Sequence, residues 1–150
     1  MQPNLCGPIL VVDDDPDDCL LLQEALRECR VEGPVAFAHD GEEALAYLQR
    51  CLRHDLRGAC CPQLILLDLN MPRMDGRETL RELQREPRLR HIPVVILSTS
   101  CDAEEIAATR QAGARAFFSK PASYQGLLDL IGSLGHYRCA SDTPEQDPPT

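Results

Sequence analysis

The stretch Ile9-Leu10-Val11-Val12-Asp13-Asp14-Asp15-Pro16 decides how the chain is read. A continuous apolar run that stops at three aspartates suits a parallel strand buried on both faces, with its carboxyl end at a site. Asp15 then serves as a helix N-cap, because the proline after it is tolerated at the first helical position. Leu20, Leu21, Leu22, Ala25, Leu26 and Cys29 follow at helical spacing and predict a helix ending near Arg30.

The same alternation continues along the chain. Residues 35–38 form a second short apolar run, Asp40-Gly41 turns the chain, and Ala44, Leu45, Leu48, Cys51 and Leu52 mark a second helix. Residues 63–68 repeat the opening pattern, an apolar run ending in an aspartate. Leu80 and Leu83 give a short helix closed by Pro87, and residues 94–97 form another buried run ending in Ser98-Thr99-Ser100. A helix over 103–112 stops at Gly113, residues 116–118 form a last strand, and Tyr124, Leu127, Leu128, Ile131 and Leu134 form a closing helix. Five repeats of strand then helix imply an α/β, doubly wound parallel sheet with helices on both faces. Ligands of such sheets bind outside the carboxyl ends of the strands.

Composition narrows the function. The chain has 150 residues with 24 acids against 15 bases, a net charge of −9. No basic surface exists for phosphate backbones, so nucleic acid and acidic membranes are not expected partners. The apolar runs are far shorter than the ~18 residues of a transmembrane span, and the N-terminus lacks a signal-peptide pattern, so the protein reads as cytoplasmic. Its eight cysteines contain no C-x-x-C pair, so reduced thiols are expected, and the four histidines share no metal-binding spacing. Residues 1–8 read as an N-terminal extension, 9–138 as the domain, and 139–150 as a disordered tail with three prolines, three acids and no base. Residues 49–62 are longer than a helix end and a short loop require.

If Asp13, Asp14, Asp68, Ser98 and Lys120 lie at one edge of a parallel sheet, several carboxylates share a small space and cannot all ionise without a cation. Oxygen ligands that leave room for water and a phosphoryl oxygen suit Mg2+ (or Mn2+). Lys120, the only lysine among fifteen basic residues, supplies a compact positive charge. Asp68 is placed as a carboxylate nucleophile of the kind that forms aspartyl phosphate, and Ser98 as a donor to a phosphoryl oxygen. Taken alone, Asp68 could instead be a cap, and a single strand-end serine means little.

Val12-Asp13-Asp14-Asp15, Leu67-Asp68-Leu69-Asn70-Met71-Pro72-Arg73-Met74-Asp75-Gly76, Leu97-Ser98-Thr99 and Ser119-Lys120-Pro121 stand in this order over residues 8–135. Together they resemble the receiver domain of two-component response regulators. The resemblance implies a (βα)5 flavodoxin-like fold with strand order 2-1-3-4-5. It implies Asp68 as phosphoacceptor, Asp13 and Asp14 as metal carboxylates, and Asn70 as a ligand through its backbone carbonyl. Lys120 would contact the phosphoryl group, Ser98 and Phe117 would act as switch residues, and the peptide bond before Pro121 would be cis. Serine stands where threonine is commoner at 98, and phenylalanine replaces the common tyrosine at 117. The Asp-Asp-Asp-Pro-Asp-Asp opening, the long 49–62 segment and the Leu-Ser-Thr-Ser run further resemble stand-alone regulators that partner bacterial phytochromes. The implied partner is a sensor histidine kinase, of the bacteriophytochrome kind. Pairing through the fourth helix, fifth strand and fifth helix, about residues 103–137, is implied as well, with Tyr124, Leu127 and Tyr137 as anchors and core packing as the alternative for Leu127.

Two rivals are weighed against this reading. Asp13, Asp15, Asp17 and Glu24 match the spacing of a calcium-binding loop, but Asp18 occupies the place of the required glycine and Pro16 intrudes. An aspartyl-phosphate phosphohydrolase would use Asp68 with a second aspartate two residues on, where Asn70 stands instead.

Overall fold

Every strand is parallel to its neighbours, and the registers fix which side chains share a face. The computed structural model describes residues 7–31, 34–54, 61–69, 71, 74–99 and 102–134. In chain order these form β1 (Ile9–Val12), α1 (Pro16–Glu28), β2 (Val35–Ala38), α2 (Gly41–His54), β3 (Leu64–Asp68), α3 (Gly76–Arg85), β4 (Val94–Ser98), α4 (Ala103–Gln111), β5 (Ala116–Ser119) and α5 (Tyr124–Ser133). The sheet order is β2-β1-β3-β4-β5, as the resemblance implies. The tail and most of the N-terminal extension lie outside the described residues.

Period-2 alternation divides the core into two layers. Leu10, Val12, Ile65, Leu67, Val94 and Ile96 pack with Ala44 and Leu48 of α2 and with Leu80 and Leu83 of α3. Ile9, Val11, Leu64, Leu66, Val95 and Leu97 pack on the other face with Leu22, Ala25 and Leu26 of α1, with Leu127 and Ile131 of α5 and with its C-cap Leu134. Burial on both faces is why β1, β3 and β4 are continuous apolar runs in the sequence.

Two expectations from helical spacing need correction. Leu20 and Leu21 are 61% and 48% exposed, because the buried stripe of α1 runs through Cys19, Leu22, Ala25 and Leu26. Leu127 is buried against the sheet and is not a surface anchor, while Tyr124 is exposed and Tyr137 lies outside the described residues. Cys19, Cys29, Cys51 and Cys61 stand outside any disulfide, as reduced thiols.

Caps end the helices where the sequence says they should, with one exception of chemistry. Gly113, at φ 109°, follows α4, and the N–H groups of Gly113 and Ala114 close back on the carbonyls of Arg110 and Thr109. The same double closure ends α1, where Arg30 and Val31 bond to Arg27 and Leu26. Here Arg30, at φ 58°, occupies the left-handed position that favours glycine. Replacing it should release ~1–2 kcal/mol of strain, offset in part by ~0.5–1 kcal/mol of extra chain entropy. Arg30→Gly is therefore expected to raise the urea midpoint by the equivalent of ~0.5–1 kcal/mol, and a lowered midpoint would contradict the cap.

Candidate functional site

Where the strands run out of apolar residues, their next side chains meet at one edge of the sheet. Asp13 follows β1 directly, and its N–H continues the ladder to the carbonyl of Ala38, which holds the carboxylate at the strand end at 2% exposure. Asp68 closes β3 and Ser98 closes β4, both buried. Lys120 follows β5, and its N–H bonds to the Ser98 carbonyl. The sheet thus aims residues up to 107 positions apart at one point.

Carboxylate oxygens of Asp13, Asp14 and Asp68 all lie within 4.8 Å of one another, with Asp14 the exposed member. The Lys120 ammonium donates to Asp13 Oδ2 at 3.0 Å and to Asp18 Oδ2 at 2.8 Å, and it stands 3.5 Å from Asp68 Oδ2. Burial lowers the affinity of Lys120 for its proton, but the bonds to Asp18 and Asp13 outweigh that and hold its pKa above the ordinary value. Burial pushes Asp13 up to about 6, against the pull of the Asp15 N–H and of Lys120. Burial, reinforced by the charge of Asp13, also raises Cys19 to about 11, so its thiol stays protonated and donates to the Asp13 carbonyl at 3.5 Å.

Ser98 is fully buried on the face of β4 that also carries Ile96, and Ile96 lies in register with Phe117 on β5. Phe117 is half-buried and packs on that same face of the sheet. The two residues are therefore neighbours along one layer, Ser98 two positions nearer the acidic edge. Asn70 lies outside the described residues.

Two readings change at this edge. The peptide bond before Pro121 is trans, as are all peptide bonds among the described residues. Trans is the lower-energy isomer of an X–Pro bond by ~0.5–1 kcal/mol, and it leaves the Lys120 N–H bonded to Ser98. The calcium-loop reading fails because residues 16–28 are one helix. Asp15 caps it by accepting from the Asp17 N–H, and Glu24 pairs with Arg27 two turns away from the acidic edge.

Asp18 is the contact that sequence reasoning missed. Its one signal is position: it lies four residues after Asp14, one turn into α1, which returns it to the same side of the helix start. The Asp75-Gly76 pair also has a role that pattern alone did not reveal. Asp75 caps α3 by accepting from the Glu78 N–H, and a Cβ on Gly76 would stand 2.5 Å from the carbonyl oxygen of Asp68 and 2.8 Å from Leu69 Cα. Only glycine lets the helix start this close to the backbone that carries Asp68.

The family model described as response regulator receiver domain matches residues 9–132. Response regulator Rcp1 of Synechocystis sp. is 34% identical over 126 residues, which are 84% of this chain and 84% of that one. The Mn(2+)-bound form of Rcp1 superposes with a TM-score of 0.74 at 32% identity, covering 87% of this chain and 93% of that one. The phosphorylated cyanobacterial phytochrome response regulator RcpA gives a TM-score of 0.78 at 35% identity over 94% of this chain and 99% of its own. Response regulator RPA3017, in red light signaling of R. palustris, gives 0.76 at 35% identity over 93% and 99%. The chain belongs to the response regulator receiver family of two-component systems. It is a signalling protein of the phosphorelay, related to regulators associated with phytochromes, and not an enzyme acting on external substrates such as a phosphohydrolase.

The Gly76 contact is directly testable. Gly76→Ala should cost ~1–3 kcal/mol through overpacking and shift the backbone amide resonance of Asp68. An unchanged melting temperature together with an unchanged Asp68 amide would refute the close approach.

Proposed function

We propose that Asp68 accepts a phosphoryl group from the phosphohistidine of a sensor histidine kinase, of the bacteriophytochrome kind. One observation carries the reading. A buried strand-end carboxylate shares its space with two more carboxylates and lies 3.5 Å from the chain's sole lysine. A carboxylate oxygen of Asp68 attacks phosphorus; the new P–O bond forms as the P–N bond breaks, and the imidazole leaves with the electron pair. The Lys120 N–H groups then turn to the phosphoryl oxygens. Water later cleaves the acyl phosphate and restores the carboxylate, so the only reactions are those on Asp68 itself.

The donor set suits Mg2+ or Mn2+. Three carboxylates with oxygens within 4.8 Å of one another, next to a single ammonium, leave negative charge uncompensated. Asp13, Asp14, Asp68 and the Asn70 backbone carbonyl would hold the ion, which neutralises charge on the equatorial phosphoryl oxygens when bound. The manganese-bound form of Rcp1 supports the same choice.

Ser98 and Phe117 carry the signal. Phosphate on Asp68 adds charge and acceptor oxygens, so the Ser98 hydroxyl moves to donate to it and Phe117 turns into the space left behind. Their shared layer supports this route. The α4-β5-α5 face is the output and homodimer surface. In its favour, β5 is a sheet edge and α4 buries only Thr109, so this helix is the most lightly tied to the core. Among the described residues no helix is long and apolar enough to cross a membrane, and we place the protein in the cytoplasm with the kinase's phosphohistidine.

Intact mass after incubation with acetyl phosphate and magnesium tests the core of this reading. Wild type should gain one phosphoryl group, and neither Asp68→Asn nor wild type in chelator should gain any; labelling of Asp68→Asn would overturn the assignment. Ser98→Ala should still be labelled while the ring resonances of Phe117 stop following phosphorylation. Light scattering at micromolar protein should show a dimer, and a monomer both with and without a phosphoryl mimic would remove the pairing proposal.

A further inference from the structure

Lys120 has a partner that the phosphoryl-transfer reading does not use. An ammonium carries three N–H donors, and the two shortest contacts of Lys120, to Asp18 at 2.8 Å and Asp13 at 3.0 Å, point toward the start of α1. Asp68, at 3.5 Å, is the most distant of the three carboxylates around it. The resting ammonium is therefore drawn away from the residue whose phosphoryl group it must meet.

The three carboxylates differ in how easily each can give the lysine up. The side chains of Asp13 and Asp68 are 3% and 7% exposed, whereas that of Asp18 is 32% exposed. Asp13 is further fixed because its other oxygen accepts from the Asp15 N–H. A buried carboxylate left without its partner is penalised heavily, while a part-exposed one exchanges its partner for water. Asp18 is thus the one contact that Lys120 can release at small cost.

We propose that Asp18 is a positioning residue: it holds Lys120 on the α1 side of the edge while Asp68 is bare and releases it when Asp68 is phosphorylated. The proposal rests on Asp68 being the acceptor. Only contacts that differ between two states shift the balance between them. A bond made in the bare state alone opposes the phosphorylated one, so Asp18 sets how readily the domain switches. It also ties the first turn of α1 to the turn between β5 and α5, and both segments feel the exchange.

The sequence supplies a clean probe. With one lysine and no tryptophan, indole fluorescence cannot follow the site, but side-chain 15N-labelled lysine gives a single ammonium resonance. Beryllofluoride with magnesium serves as a stable phosphoryl stand-in, and wild type, Asp18→Asn and Asp17→Asn are compared. Asp17 sits on the same exposed turn without being a partner of Lys120, so it controls for loss of charge alone. In the bare state, Asp18→Asn should move the Nζ resonance toward its position in beryllofluoride-bound wild type. Beryllofluoride should bind about fivefold more tightly, the scale of a part-exposed ion pair. Asp17→Asn should leave the resonance in place and change affinity by less. Equal effects of the two variants, or weaker binding in Asp18→Asn, would overturn the proposal. If wild type fails to bind beryllofluoride, the Asp68 reading falls and the release falls with it. The bare-state shift in Asp18→Asn would then still register the hold separately.

Discussion

Four carboxylates and one ammonium meet at the carboxyl edge of this sheet, and the rest of the structure answers to that imbalance. Two carboxylates about 4 Å apart repel by ~4 kcal/mol at an effective dielectric constant of ~20. Lys120 touches three of the acids, yet one positive charge cannot balance Asp13, Asp14, Asp18 and Asp68 together. Burial adds to the strain on the charged form of Asp13, whose pKa it pushes up to about 6. The edge is therefore a place where a divalent cation and a phosphoryl group, one of each sign, can be taken up together at little electrostatic cost. That pairing is the chemistry of a receiver domain.

The fold delivers this edge through the packing of its central strands. Strands buried on both faces leave no freedom in where their last residues point, and the ladder bonds of Asp13 and Lys120 extend that control past the strand ends. Gly76 lets α3 begin against the backbone of Asp68, so this carboxylate is backed by a helix start. The α4 side is built differently. Only one residue of α4 is buried, and its first turn is tied down from outside the core by Glu105, which pairs with Arg77 at the start of α3. Beside the end of β4, where Ser98 stands, α4 is thus a helix with little packing to hold it.

Much of this was legible in the residues. Uninterrupted apolar runs ending in Asp13, Asp68 and Ser98 announce doubly buried parallel strands with polar ends, because that burial tolerates nothing else. Strand order was not legible from periodicity, which carries no information on neighbours; it came through resemblance. Leu20 and Leu21 misled because a run of three leucines matches a helical stripe in more than one phase, and only the sheet beneath α1 selects Leu22. Leu127 falls to the core side of its two readings, since a residue on a surface helix can belong to its inner face. Asp18 was hidden because its partner lies 102 residues away, and local patterns do not report contacts across a fold.

The chemical identity of the linkage distinguishes Asp68 from every other acceptor. An acyl phosphate on an aspartate is reduced by borohydride to the corresponding alcohol, whereas a phosphoserine or a free carboxylate is not. After phosphorylation with acetyl phosphate and magnesium, reduction and peptide sequencing by mass spectrometry should find homoserine at position 68 and aspartate at 13, 14 and 18. Homoserine at any of those three positions, or a phosphoryl group that survives reduction elsewhere in the chain, would contradict the site.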